Sequence, residues 1–134
     1  KAAPACGWAM GMERVLELMK VSGSLPEPQA QCDAFVIHQG GETLTAAMII
    51  AERLRNAGID VVLFCPPDGQ TASFKSQMKK ADASGAAYAV IIGPDELAKN
   101  EAQLKDLRSS GEQKAVALDS VVEAVIDAIV GATE

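Results

Sequence analysis

Histidine and cysteine are scarce in this 134-residue sequence, which holds one histidine, His38, and three cysteines, Cys6, Cys32 and Cys65. The cysteines are odd in number, widely spaced and without a CxxC pair. A disulfide framework or a zinc site needs paired or tighter spacing, so three reduced thiols and no metal are expected. No apolar run approaches ~20 residues, so no membrane-spanning helix is expected. Lys1-Ala-Ala-Pro-Ala5 has no basic segment leading into an apolar stretch and does not read as a signal peptide. An initiator methionine is absent, which reads as the mark of truncation or proteolysis. Neither GxGxxG nor a P-loop occurs, and without those phosphate cradles nucleotide binding by this chain alone is not expected. Basic residues are not in excess either. The formal net charge is −6, which argues against an indiscriminate nucleic-acid binder.

What is present is the composition of a globular, cytoplasmic protein, with 49% hydrophobic and 22% charged residues on a length that suffices for one core. The positive charge is clustered. Residues 71–80 carry Lys75, Lys79 and Lys80 and no acid, while residues 105–114 carry Lys105, Arg108 and Lys114 against Asp106 and Glu112. That distribution fits a local basic patch on an acidic body, and it also fits a plain solvated face.

Cys6-Gly-Trp-Ala-Met10 reads as a short strand. Gly11 then opens a helix in which Met12, Val15, Leu16 and Met19 form one apolar stripe that must bury against something. Residues 21–32 are rich in Ser, Gly and Pro, are stiffened by Pro26 and Pro28, and read as a linker. The expected organisation is a stub of another domain over residues 1–20, the linker, and one α/β domain over residues 33–134.

From Asp33 onward apolar strands and amphipathic helices alternate. Strands are predicted over 34–38, 61–65 and 88–92 and helices over 43–56 and 73–84. Pro66-Pro67 ends the second strand, and Gly58 and Gly85 stop the helices. Strands so uniformly apolar are expected to be covered on both faces. Pro94 to Ala98 reads as a single helical turn, and residues 103–108 and 114–118 as a hairpin of edge strands. Ser120-Val-Val-Glu123 reads as a capping box opening a last helix on Val122, Val125, Ile126, Ile129 and Val130. Right-handed crossovers then give a doubly wound α/β fold: a mixed, mainly parallel five-stranded sheet of order 2-1-3-4-5, with helices on both faces.

Gln39-Gly40-Gly41-Glu42 lies where doubly wound folds bind ligands, beyond the strand ends. His38 ends that strand and could act as a base, but no Ser or Cys nucleophile stands beside it in a recognisable motif, so it reads as structural. Asp60 and Asp68 are poorly placed for a phosphoacceptor cluster. Gly7-Trp-Ala-Met-Gly-Met-Glu-Arg14 combines glycines that admit a close ligand with an arginine on the first turn of a helix. A guanidinium there can face a polyphosphate.

That segment resembles the third signature motif of class II aminoacyl-tRNA synthetases, and specifically of the histidyl-tRNA synthetase family. The resemblance runs on through residues 33–134 in Ala51-Glu-Arg-Leu-Arg55, Phe74-Lys-Ser-Gln-Met-Lys-Lys-Ala-Asp82, Ala89-Val-Ile-Ile-Gly93 and Leu104-Lys-Asp-Leu-Arg-Ser-Ser-Gly-Glu-Gln113. Trp8 stands where that family more often has Phe, and the first two class II motifs and the histidine-binding segments are absent. The resemblance implies that residues 1–20 end a catalytic domain and that residues 33–134 are an anticodon-binding domain, in a chain with no complete catalytic site. Gly11 and Arg14 would be the remnant of an ATP site. The implied parent is a cytoplasmic homodimer that forms histidyl-adenylate and pyrophosphate from histidine and ATP, with Mg2+ on the phosphates, then charges histidine tRNA. No cofactor is implied for the anticodon domain itself.

By position in related anticodon domains, the resemblance also implies that Glu96 and Lys105 read bases of the anticodon arm, with Gln77 as a looser match. Arg108 joins them from its place on the same strand. Glu96 can accept from a base amino group, and Lys105 and Arg108 can donate to bases or phosphates. The plain alternatives are a solvated helix turn for Glu96 and edge-strand protection for Lys105 and Arg108. Two other functions remain open. One is a non-catalytic protein–protein or dimerisation module of a synthetase-like regulatory protein. The other is the anticodon domain of a class II synthetase for threonine, glycine or proline.

Overall fold

The structure is a computed structural model that describes residues 3–25, 32–65, 72–109 and 111–131. Helix α1 (Met12–Val21) is followed by strand β1 (Ala34–His38), helix α2 (Gly41–Asn56), strand β2 (Val61–Leu63) and helix α3 (Phe74–Ala83). Strand β3 (Tyr88–Ile92), the short helix α4 (Pro94–Ala98), strands β4 (Glu101–Asp106) and β5 (Gln113–Ala117), and helix α5 (Val121–Gly131) complete the chain. The sheet order is β2-β1-β3-β4-β5, as the crossovers required. Two of its four pairings, β1 with β2 and β1 with β3, are parallel, whereas β3 with β4 and β4 with β5 are antiparallel. Parallel pairing therefore accounts for half the sheet, because the one-turn helix α4 is too short to carry the chain back for another parallel strand.

Strand alternation sorts the core into two layers. Ala34, Val36, Val90 and Ile92 face α2 and α5, together with Ile50, Leu54, Val121 and Val125. Phe35, Ile37, Ala89 and Ile91 face the other way and pack with Ala81 of α3. All five residues of β1 and all five of β3 are buried, which is why neither strand alternates in polarity. Ile37, Ile50, Leu54 and Ile92 are among the largest fully buried side chains, each worth roughly 1.5–3 kcal/mol in removed apolar surface.

Local chemistry moves several element ends from their predicted places. Helix α2 begins two residues before Thr43, because the Thr43 hydroxyl bonds back to the turn, accepting from Gln39 N–H at 2.9 Å and donating to Gly40 O at 3.0 Å. Strand β2 stops at Leu63 because the Phe64 carbonyl accepts from His38 Nε2 at 3.2 Å instead of joining the ladder. Strand β4 runs Glu101–Asp106, not 103–108, because the Asp106 carboxylate takes the backbone N–H groups of Arg108 and Ser109 and folds the chain away. Ser120 lies in a 3-10 turn, Leu118–Ser120, that leads into α5, so the predicted capping box is replaced by a continuous tightened turn. Residues 3–11 form no strand; an extended segment needs a partner, and none of the described strands pairs with it. Gly58 and Gly85 do end α2 and α3, in left-handed backbone at φ 83° and 81°.

Helix α1 has no buried residue, and Met12 and Leu16 of its stripe are exposed. Pro26, Pro28, Pro66, Pro67, Asp68 and Ser110 lie outside the described residues. Among the described residues no helix is long and apolar enough to cross a membrane.

Candidate nucleic-acid interface

Of the four residues expected to meet an anticodon, only Lys105 stands on the β3–β4 ladder; Glu96, Arg108 and Gln77 lie on α4, past β4 and on α3, and those three have polar groups already spent. Glu96 stands on α4, just beyond the carboxyl end of β3. Its Oε2 accepts from Gly93 N–H at 3.2 Å, so the Glu96 side chain reaches back to cap the first turn. A Cβ on Gly93 would lie 2.5 Å from that oxygen, so the glycine is what lets the carboxylate reach the helix start. Lys105 pairs with Ala89, four residues before Gly93, which places it about 13 Å down the sheet. Arg108 lies past the far end of β4, where its Nε donates to Ala86 O at 2.8 Å. Its Nη2 donates to Asp82 O at 2.9 Å, tying down the last turn of α3.

Gln77 is 0% exposed. Its Nε2 donates to His38 O at 2.6 Å and to Ala72 O at 2.9 Å, while its Oε1 accepts from His38 N–H at 3.3 Å. The amide thus pins α3 to the end of β1 and presents no face to solvent. His38 is 97% buried in the same place, with Nε2 donating to Phe64 O, and Nδ1 has no partner among the described residues. The burial and the bond to Phe64 O are those of a structural histidine.

Lys105 differs from the other three. Its pairing with Ala89 puts it on the α3 side of the sheet, and its ammonium makes no hydrogen bond or ion pair among the described residues. The ladder sets two amides beside it that the sequence reading passed over. Gln113 is directly opposite Lys105 on β5, and Gln103 lies two residues back on β4 opposite Ile91. Their side chains are also unpaired among the described residues. Glu101 continues the row at the strand's start, opposite Ala117. The alternation Glu101, Gln103, Lys105 against Ala102, Leu104 was visible in the sequence; the cross-strand partner was not.

No described element covers this half of the sheet. Helix α3 packs on β1, and α5 lies behind β4 and β5 on the opposite side. Four of the five β5 residues are exposed. The open face is floored by Ala115 of β5, which is exposed, and flanked by α3, whose Ala81 packs with the buried Ala89. Lys75 precedes Asp82 by two helical turns and so shares the stripe that meets Arg108, on the side of β4. Lys80 is turned the other way, its Nζ 3.6 Å above the Phe64 ring. A cleft of about 500 Å³ lies behind the sheet between β5 and α5, but it sets Glu123 and Asp127 against Lys114, a poor lining for a polyanion.

A family model described as an anticodon binding domain matches residues 33–128. The chain belongs to that family. A histidine–tRNA ligase of Cupriavidus taiwanensis is 54% identical over 140 residues, taking in 100% of this chain and 30% of the relative. The chain therefore spans about a third of the length of the curated relatives it matches. The histidyl-tRNA synthetase of a Nostoc species superposes with a TM-score of 0.66 at 29% identity, over 90% of this chain and 28% of that one. The RNA binding domain of threonyl-tRNA synthetase from Cryptosporidium parvum, at 18% identity and a TM-score of 0.62, covers 72% of this chain and 23% of its own and shares the fold. The open face carrying Lys105 is one surface of the described residues with unspent polar groups.

Arg14 and Gly11 lie apart from that face. Both are exposed, and Arg14 has Glu17, Leu18 and Val21 around it on α1. One guanidinium with a carboxylate close by does not make a triphosphate cradle, so the residues present do not fit ATP.

Proposed function

We propose that this chain is the C-terminal part of a histidine–tRNA ligase and that residues 33–134 hold the anticodon arm of histidine tRNA on the α3 side of the sheet. The observation that carries the reading is the unspent ammonium of Lys105 at the centre of an open sheet face, in a chain of the anticodon binding domain family. Anticodon bases are unpaired in their loop, so their edges are free to meet side chains standing on a strand. Lys105 donates to a base or to the phosphate beside it, and Lys75 and Lys79 on α3 attract the backbone at the rim. Glu96 offers its second carboxylate oxygen at the end of the same ladder. Gln77 and Arg108 act as positioning residues, since one holds α3 to β1 and the other holds its last turn to β3 and β4.

The parent reaction joins histidine to ATP and passes the histidyl group to tRNA, with residues 1–20 as the end of the catalytic body and 21–32 as the linker. Mg2+ and ATP belong to that body, and so does the homodimer. Cytoplasmic residence accords with free thiols at Cys6, Cys32 and Cys65. The test titrates an anticodon stem-loop of histidine tRNA against the unaltered chain and Lys105→Ala at two salt concentrations. Lys105→Ala is expected to weaken binding about tenfold, with a shallow salt slope for both proteins because the patch is small. Equal binding by the two proteins, or none at low salt, overturns the reading.

A further inference from the structure

We infer that Gln103 and Gln113 make the base-selective part of the interface, reading unpaired bases beside Lys105; the inference rests on the anticodon reading above. Lys105 and Gln113 are a directly opposed antiparallel pair, so their Cβ atoms are about 5 Å apart. Gln103 stands about 7 Å from Lys105 along β4, on the same face. A single base edge spans such a group. Each amide presents donors and an acceptor together, whereas an ammonium presents donors alone. Phosphate oxygens accept only, so an amide acceptor has no use against a phosphate. Against a base edge that alternates donor and acceptor it completes a two-bond match.

Three further features point the same way. Neither amide has an intramolecular partner among the described residues, in contrast to Gln77, whose amide makes three hydrogen bonds. Ala115, exposed on β5 between them, leaves room above the sheet for a planar ring. Strands β4 and β5 contain no aromatic residue, so neither strand supplies a ring for stacking, which accepts every base alike. Selectivity falls to hydrogen bonding, and the amides are the groups able to provide it.

The experiment measures the affinity of the 134-residue chain for the stem-loop with its natural anticodon and for a panel with each anticodon base replaced in turn. Unaltered protein, Gln103→Ala, Gln113→Ala and Lys79→Ala are compared, with urea unfolding midpoints to confirm that each variant is folded. At least one amide variant is expected to lose about tenfold of the preference for the natural base at one anticodon position while keeping preferences elsewhere. Lys79→Ala is expected to weaken all stem-loops equally. Unchanged preferences in both amide variants, or a uniform loss across the panel, overturns the inference and leaves the anticodon reading standing. Absence of binding by the unaltered chain removes both. A dimer of the chain that buries this face and is not displaced by RNA also overturns it, and light scattering would reveal it.

Discussion

The guanidinium of Arg108 closes over the last turn of α3, with Nη2 2.9 Å from the carbonyl oxygen of Asp82, 26 residues away in sequence. The same group takes Ala86 O at 2.8 Å, and Nη1 lies 3.5 Å from the Asp82 carboxylate. One side chain thus joins the end of β4, the end of α3 and the start of β3. A cation at a helix C-terminus also opposes the negative end of the macrodipole.

Arg108→Ala is expected to lower stability by about 1–2 kcal/mol, since two main-chain carbonyls, Ala86 O and Asp82 O, lose a charged donor. Arg108→Lys should recover little, because an ammonium cannot reproduce the fork. Urea unfolding measures the loss. RNA binding that falls while the unfolding midpoint stays fixed would show a contact role instead.

Glu96 and Gly93 form a coupled pair. Glu96→Ala is expected to cost about 0.5–1 kcal/mol by removing the acceptor of the Gly93 N–H. Gly93→Ala should cost a similar amount, because its methyl group displaces the Glu96 carboxylate from a site 2.5 Å away. On the Glu96→Ala background the glycine change should then cost almost nothing. Additive losses in that double-mutant cycle would contradict the close approach.

Gln77→Met keeps the volume of the side chain but leaves the N–H and C=O of His38 without their partner. A loss of about 2–4 kcal/mol is expected, which is large beside the stability of a domain this size. Unfolding in urea checks it. A loss below about 0.5 kcal/mol would mean that His38 finds other partners, within the error of such extrapolations.

Tyr88 gives the domain a sensitivity to alkali. Burial raises its pKa above the usual 10.0, and the Asp106 carboxylate adds to the shift. Its hydroxyl donates to Ala128 O at 2.7 Å, which ties β3 to α5. The unfolded chain releases this proton first, so the stabilisation is complete below pH 10.0 and is lost as pH rises through the folded value. Thermal unfolding between pH 8 and 11, about the range that brackets the tyrosine transition, should show a decline that Tyr88→Phe flattens. The same substitution costs about 1 kcal/mol at neutral pH through the missing hydrogen bond.

The sequence by itself determined the elements from Asp33 onward, to within their ends, and their order in the sheet. The uniformly apolar runs at 34–38 and 88–92 could only be strands covered on both sides, and the stops after α2 and α3 are written as glycines at 58 and 85. These signals are local, carried by spacings of two to four residues, and so survive without a partner in view. Tertiary structure decided which polar groups are free. Lys105, Arg108, Glu96 and Gln77 read alike as chemistry-bearing residues, yet Arg108 is spent on Asp82, Gln77 on His38 and one oxygen of Glu96 on Gly93. Whether a donor is available depends on acceptors brought to it from 26 or 39 residues away, a distance that no local pattern encodes. The pairing of Lys105 with Gln113 belongs to the same class, because a strand's alternation reveals its faces while only the register names the neighbour.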